Sequence, residues 1–293
     1  MSFILTLVAA RDTTSLSEGQ ITAARDMVRG ALPVILSSGE AAEIACETVS
    51  PSIHAAARAA FGSSGIDVLV TRSRGRRKAV LVADMDSTIV QGETLDDIAE
   101  HAGIGDAIAA ITRRSMNGEI DFSEALRERV ALLKGHSTDL LETAWRQTRL
   151  NTGARELIAT MKAHNAVTAL VSGGFTFFTS RVQEQCGFNE HHANLLLSEN
   201  GVMTGTVGEP VLGPDAKLEH LRRLAEERGV KMSATLAIGD GANDLPMLKA
   251  AGLGLAFHAK PIVKAEIDNR IEHASLRAAL FAQGYPASVF RDE

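Results

Sequence analysis

Two hydrophobic rhythms alternate along the chain. Phe3–Ala10 and Ile66–Thr71 are short apolar runs of strand length, whereas Glu18–Ala31 and Ile53–Phe61 carry apolar residues at helical spacing. With Pro33–Ser38 as a further strand, these segments predict a small α+β unit over residues 1–76. Beyond it the apolar runs become continuous. Ala79–Ala83, Ala166–Val171 and Ala234–Ile238 each lack alternation, as strands covered on both faces do. Helical periods separate them, so residues 77–293 predict an α/β fold around a parallel sheet.

The segment from about 93 to 149 is longer than a simple strand-to-strand crossover requires. Leu126, Val130 and Leu133 recur at i, i+4 and i+7, and Ser137 is placed to cap a helix over Thr138–Arg149. Asn151–His164 supplies the crossover helix, which leaves the earlier helices as an inserted cap. Further on, Asn194–Leu197 and Val202–Val207 flank Ser198-Glu199-Asn200-Gly201, and Asn-Gly predicts a hairpin.

Composition adds limits. With 45% hydrophobic and 23% charged residues the chain is an ordinary globular protein. A net charge of −6 argues against a nucleic-acid partner, which calls for a broadly basic surface. The basic stretch Arg72, Arg74, Arg76, Arg77 and Lys78 therefore reads as a solvated linker between the two units. Cys46 and Cys186 lie far apart without CxxC spacing, so neither a disulfide scaffold nor a zinc site is expected, and the cytoplasm is the natural setting. Phe3–Ala10 lacks the basic n-region of a signal peptide, and no run approaches the roughly 18 apolar residues of a membrane span. His191 and His192, adjacent in a predicted strand, face opposite sides. Trp145 and Tyr285 read as packing residues.

The chemistry gathers where the buried strands end. Asp84-Met85-Asp86-Ser87-Thr88 follows the first run, Ser172-Gly173-Gly174 the second, and Gly239-Asp240-Gly241-Ala242-Asn243-Asp244 the third. Ligands of open α/β sheets bind outside the carboxyl ends of strands, so these clusters predict one site. Two carboxylates at i and i+2 can divide nucleophilic attack and proton transfer between them. Four acids in one crevice repel unless a cation lies among them, and hard oxygen ligands suit Mg²⁺. Ser172-Gly173-Gly174 offers a hydroxyl and backbone N–H groups to a phosphate. Lys217, on a helix entered through Gly213-Pro214-Asp215, is the expected cationic partner of a phosphoryl group.

In this order the motifs resemble those of the haloacid dehalogenase-like (HAD) superfamily: Asp84/Asp86, Ser172, Lys217 and Asp240/Asp244, over about residues 79 to 280. The resemblance implies a HAD-like Rossmannoid parallel sheet with a helical cap. It implies that Asp84 attacks phosphorus to form an aspartyl-phosphate and that Asp86 protonates the leaving alcohol, then activates water. Mg²⁺ would be held by Asp84, the Asp86 carbonyl and Asp240, supported by Asp244, with Ser172, Gly173, Gly174, Lys217 and Asn243 around the phosphate.

Three stretches resemble the phosphoserine phosphatases within that superfamily: Asp84–Glu93, Met116–Phe122 leading to Arg127–Val130, and Gly239–Met247. That likeness implies O-phospho-L-serine as substrate and the last step of serine biosynthesis. Glu93 would bind the ammonium, Arg129 the carboxylate, and Met116 and Phe122 would wall the pocket. A guanidinium fork suits a carboxylate better than lysine does. For residues 1–76 the resemblance implies an ACT-like, ferredoxin-like unit, compatible with a homodimer. Two alternatives stay open: another small phosphomonoester as substrate of a phosphatase or phosphotransferase, and a catalytically inactive amino-acid-sensing module.

Overall fold

A computed structural model describes residues 2–116 and 119–292. The leading elements are β1 (Phe3–Ala9), α1 (Glu18–Val28), β2 (Val34–Ser37), β3 (Ala41–Cys46), α2 (Pro51–Gly62) and β4 (Ile66–Arg72). The strands form an antiparallel sheet in the order β2-β3-β1-β4, the arrangement of a ferredoxin-like βαββαβ unit. Alternate residues of β1 face opposite sides. Leu5 and Leu7 pack with Ile21 and Ala24 of α1 and with Phe61 of α2, while Val8 joins the core of the larger unit. Burial on both faces explains why β1 reads as an unbroken apolar run. Helix α1 begins at Ser17, whose hydroxyl accepts from the Gln20 N–H in a capping box, and ends one turn earlier than expected because Arg29 is left-handed.

The second unit starts with β5 (Val80–Ala83). The cap helices follow: α3 (Thr94–Ala102), α4 (Gly105–Met116), α5 (Phe122–Ala131) and α6 (Asp139–Gln147). The chain continues through α7 (Ala154–Ala163), β6 (Val167–Phe175), α8 (Thr176–Cys186), β7 (Glu190–Asn194), β8 (Leu196–Glu199) and β9 (Val202–Val207). It closes with α9 (Ala216–Glu227), β10 (Thr235–Gly239), α10 (Leu245–Ala250), β11 (Leu253–Phe257), α11 (Pro261–Glu266), β12 (Arg270–Ile271) and α12 (Arg277–Ala282). A parallel six-stranded sheet runs β12-β11-β10-β5-β6-β7. Helices cover both of its faces, and all four residues of β5 are buried between them.

The expected hairpin is β8–β9, turning through Asn200 and Gly201, both with positive φ, as a two-residue primed turn requires. It braces the cap: Met203 N–H donates to the His136 carbonyl at 2.8 Å, and Gly135 N–H donates to the Met203 carbonyl at 3.0 Å. His191 and His192 do point apart, the first to Thr179 and the second to Glu190 and the His220 ring. Tyr285 is buried and Trp145 packs near Phe178, as expected of packing residues. Among the described residues, no helix is long and apolar enough to cross a membrane.

The two units are fastened together. The Asp67 carboxylate accepts the N–H groups of Glu272, His273 and Ala274 at 2.8–3.0 Å, and the Arg277 guanidinium forks onto Glu40 at 2.6 and 2.9 Å. The basic stretch is consequently not the solvated linker its composition suggests. Arg76 pairs with Glu43 at 2.8 Å, and Lys78 is buried, donating to the Gly75 and Ser233 carbonyls. Docking of the small unit draws these two side chains inward, while Arg72, Arg74 and Arg77 stay exposed.

Candidate active site

Strand β5 delivers the first two acids. Asp84 continues the ladder by one residue, its N–H donating to the Ile238 carbonyl at 3.0 Å. The chain then turns over Met85–Ile89, closed by Val90 N–H to the Met85 carbonyl, with Ser87 left-handed at φ 55°. This turn aims Asp84 and Asp86 into the same mouth with different partners. Asp84 Oδ1 accepts from the Met85 N–H at 2.7 Å, and its Oδ2 lies 2.6 Å from Lys217 Nζ. Asp86 accepts from the Thr94 N–H at 2.9 Å and from the Ser172 hydroxyl at 3.3 Å.

Strand β10 delivers the second pair. Asp244 Oδ2 accepts the N–H groups of Asp240 and Gly241, both at 2.9 Å, and its Oδ1 takes Lys217 Nζ at 2.5 Å. Both oxygens of Asp244 are therefore engaged in shaping the loop. Glycine is required at position 239, where a Cβ would meet the Asp244 carboxyl carbon at 2.4 Å. Asn243 folds back over Gly241, its Oδ1 falling 2.4 Å from where a Cβ would be.

Charge is the problem this arrangement sets. Oxygens of Asp84, Asp240 and Asp244 lie within 4.8 Å of one another, all three side chains buried. Burial, then repulsion from Asp244 and Asp240, pushes Asp84 well above the usual carboxylate range despite the opposing pull of Lys217. Burial also raises Asp240, to about 6. Asp86 rises to about 6 through burial and the neighbouring Glu93 carboxylate, its hydrogen bonds opposing the shift. Lys217 loses by burial but gains more from Asp244 and Asp84, so it stays protonated. A cluster of hard anionic oxygens repelling one another is a donor set that a metal ion satisfies.

Ser172-Gly173-Gly174 closes the opposite side. The Ser172 hydroxyl accepts from the Gly174 N–H at 2.9 Å, and the Phe122 ring of the cap lies directly over Gly173, its Cζ 2.9 Å from a hypothetical Cβ there. Helix α5 thus brings Phe122 onto the Ser172-Gly173-Gly174 loop. One face of the helix carries Arg129 two turns on, half-buried and acted on electrostatically by Asp96 and Glu93. Its Nε donates to the Ala125 carbonyl at 3.2 Å, but among the described residues it makes no ion pair. Its neighbours differ: Arg127 is committed to Glu209 and Arg114 to Glu128. Glu93 accepts from the Ser87 hydroxyl at 2.9 Å. Met116 ends α4, and its side chain lies outside the described residues.

Four further residues shape this neighbourhood, and three of them, Lys260, Asn194 and Asp96, carry no motif signal of their own. Lys260, just beyond β11, places Nζ 3.5 Å from both Glu93 and Asp240. Thr88 donates to Asp240 at 3.2 Å, tying the two acidic loops together. Asn194, buried at the end of β7, donates to the Gly173 carbonyl at 2.9 Å and accepts from the Leu212 N–H at 2.8 Å. Asp96 faces Arg129 from α3. The available signal was position: Asn194 and Lys260 both stand at or just past the carboxyl ends of parallel strands.

A parallel sheet with acidic loops at its carboxyl edge and a helical cap above them defines a class. The haloacid dehalogenase-like hydrolase family model matches residues 81–249, more than half of the chain, and the chain belongs to that family. The phosphoserine phosphatase of Archaeoglobus fulgidus is 39% identical over 214 residues, covering 72% of this chain and 62% of that protein. The match thus spans less than two thirds of that relative's length. A HAD family hydrolase from Salmonella enterica serovar Typhi superposes with a TM-score of 0.86 at 25% identity, over 96% of this chain and 98% of its own. A phosphoserine phosphatase structure described as a phospho-aspartyl intermediate analogue is 40% identical, with a TM-score of 0.65 over 70% of this chain and 98% of its own.

Proposed function

We propose that the protein is a Mg²⁺-dependent phosphoserine phosphatase that hydrolyses O-phospho-L-serine to L-serine and phosphate. The observation that carries this reading is the division of labour between Asp84 and Asp86. One is held against a buried ammonium, and the other is raised to about 6 beside the phosphate cradle. Magnesium suits the acidic cluster, with Asp84, the Asp86 carbonyl and Asp240 as its holders and Asp244 as their support. When bound it would neutralise the repulsion between Asp84 and the incoming phosphate.

Asp84 attacks phosphorus, forming an aspartyl-phosphate as the bond from phosphorus to the serine oxygen breaks. Asp86 gives its proton to that oxygen, releasing serine. Asp86 then takes a proton from water as the water oxygen attacks phosphorus, and phosphate leaves Asp84 free. A carboxyl with a pKa near 6 can perform both transfers at neutral pH. Lys217, Ser172, Asn243 and the N–H groups of Gly173 and Gly174 hold the phosphate oxygens, where positioning and charge supply most of the catalysis. Arg129, uncommitted to any described carboxylate, receives the substrate carboxylate. Glu93 receives its ammonium, and Phe122, with Met116, excludes water.

On this reading residues 1–76 are a separate ACT-like domain and 77–293 the capped catalytic domain, with the cap at about 93–149. The enzyme acts in the cytoplasm at the last step of serine biosynthesis, and its small domain is suited to forming a homodimer. The test is phosphate release in Mg²⁺ from L-phosphoserine, phosphothreonine and p-nitrophenyl phosphate. A kcat/KM for phosphoserine at least about a hundredfold above p-nitrophenyl phosphate, which lacks the ammonium and the carboxylate, and at least about tenfold above phosphothreonine, which adds only a methyl, supports the assignment. A preference for phosphothreonine overturns it.

A further inference from the structure

The cleft between the two units has a chemistry that the phosphatase reaction does not use. It encloses about 1020 Å³ between the end of β4 and the segments that lead into β5, β10 and β11. Arg72, Arg74, Arg76 and Lys78 line it, and among the described residues no Asp or Glu does. In a protein with a net charge of −6, four cations around a cavity without an acid are a local reversal of sign.

The cations are not equivalent. Arg76 is satisfied by Glu43. Lys78 is only 8% exposed and has two carbonyl partners, but no ion pair among the described residues. A buried ammonium without a counter-ion is costly, and here the neighbouring charge that acts on it is another cation, Arg72. Arg72 and Arg74 are exposed at the rim, with no ion-pair partner among the described residues. Ala250, Ala251, Gly252 and Gly254 contribute to the floor, so small side chains keep the space open. Gly252 and Gly254 are held small by packing below, where a Cβ would meet the Ser233 and Leu248 carbonyls at 2.1 Å.

We propose that this cleft binds a small multivalent phosphate-bearing anion, held by the forks of Arg72 and Arg74 at the rim with Lys78 as the buried counter-charge. Guanidinium groups match phosphate oxygens bidentately, and several cations in one cavity select for several negative charges. The site lies at the amino ends of β5, β10 and β11, on the opposite edge of the sheet from Asp84 and Asp240. It touches both units at once, so occupancy would stiffen their junction rather than compete with substrate.

Inorganic pyrophosphate titrated calorimetrically into the full-length protein tests this, with Arg72→Ala/Arg74→Ala and Ser172→Ala variants alongside. Both arginines are exposed, so the double variant is expected to fold and to keep wild-type kcat on phosphoserine. The expected result is a one-site isotherm that weakens with added salt, persists in Ser172→Ala and falls at least about tenfold in affinity in the arginine variant. No binding to wild type, or an unchanged isotherm in the arginine variant, overturns the proposal. Loss in Ser172→Ala does so too, by locating the anion in the catalytic cradle. Citrate binding as tightly as pyrophosphate overturns the phosphate assignment.

Discussion

At the scale of single residues, the site works by giving like groups unlike surroundings. Asp84 and Asp86 are two positions apart, but one faces an ammonium and the other a hydroxyl and a backbone N–H. Replacing Asp84 by Asn keeps the shape and removes the proposed nucleophile, so phosphate release is expected to fall by ~10⁴-fold or more, the scale seen when a nucleophile is deleted. Activity surviving that change would exclude the covalent route. Arg129→Lys tests the proposed carboxylate partner: KM for phosphoserine should rise about ten- to a hundredfold, with p-nitrophenyl phosphate hydrolysis little changed. The acidic cluster also has a signature in pH. Burial raises Asp240 to about 6, whereas an unfolded aspartate titrates near 4. The folded state therefore holds this proton more tightly, and the stability it confers is complete below about pH 4 and lost as pH rises through about 6. Thermal melts in chelator should show wild type losing ground to Asp240→Asn between those values, with Mg²⁺ restoring it at pH 7. A pH-independent difference would mean that Asp240 carries no such penalty.

At the scale of elements, strands deliver the polar loops and the cap covers them, and one of the contacts between the two is especially close. The Phe122 ring lies so close over Gly173 that an added methyl would stand 2.9 Å from it. Gly173→Ala should therefore lift α5 and cost activity about tenfold or more, while Phe122→Leu in the same chain should recover part of it, a coupling that a double-mutant cycle reads directly. Additive losses would place the cap contact elsewhere. The same scale explains what was legible in the chain. Continuous apolar runs announced β5, β6 and β10, and polar clusters immediately after them announced Asp84, Asp86, Ser172 and Asp240, because a strand end fixes both neighbours in sequence and place in space. Asn200-Gly201 announced the hairpin through its positive φ requirement. Ala41–Cys46 was missed as a strand because three alanines and a glutamate give weak β propensity, and its pairing with β1 decides the matter. Lys260, Asn194 and Asp96 were missed for another reason. Asn194 ends β7 and Lys260 follows β11, two strands not anticipated in the parallel sheet, so their position at the carboxyl edge went unread, and Asp96 on α3 meets Arg129 of α5 only in the folded cap.

At the scale of the whole molecule, the small unit is joined through buried charge rather than through apolar surface alone. Arg277 on α12 forks onto Glu40 beside β3 and also contacts Glu156 on α7, so one guanidinium binds three parts of the chain. Arg277 and Glu40 are both more than nine-tenths buried. Such a pair adds little over an apolar substitute, but breaking it strands a carboxylate in a low-dielectric junction. Arg277→Ala is expected to destabilise the protein by about 3–5 kcal/mol, and Glu40→Met/Arg277→Met to recover most of that loss. Urea denaturation of the three chains measures it. Among the described residues Arg277 pairs with Glu40 and Glu156 and with no group around Asp84 and Asp240, so kcat of the folded variant should stay at the wild-type value. A fall in kcat without a fall in stability would reverse this, making the junction a control on the catalytic edge instead of a fastening.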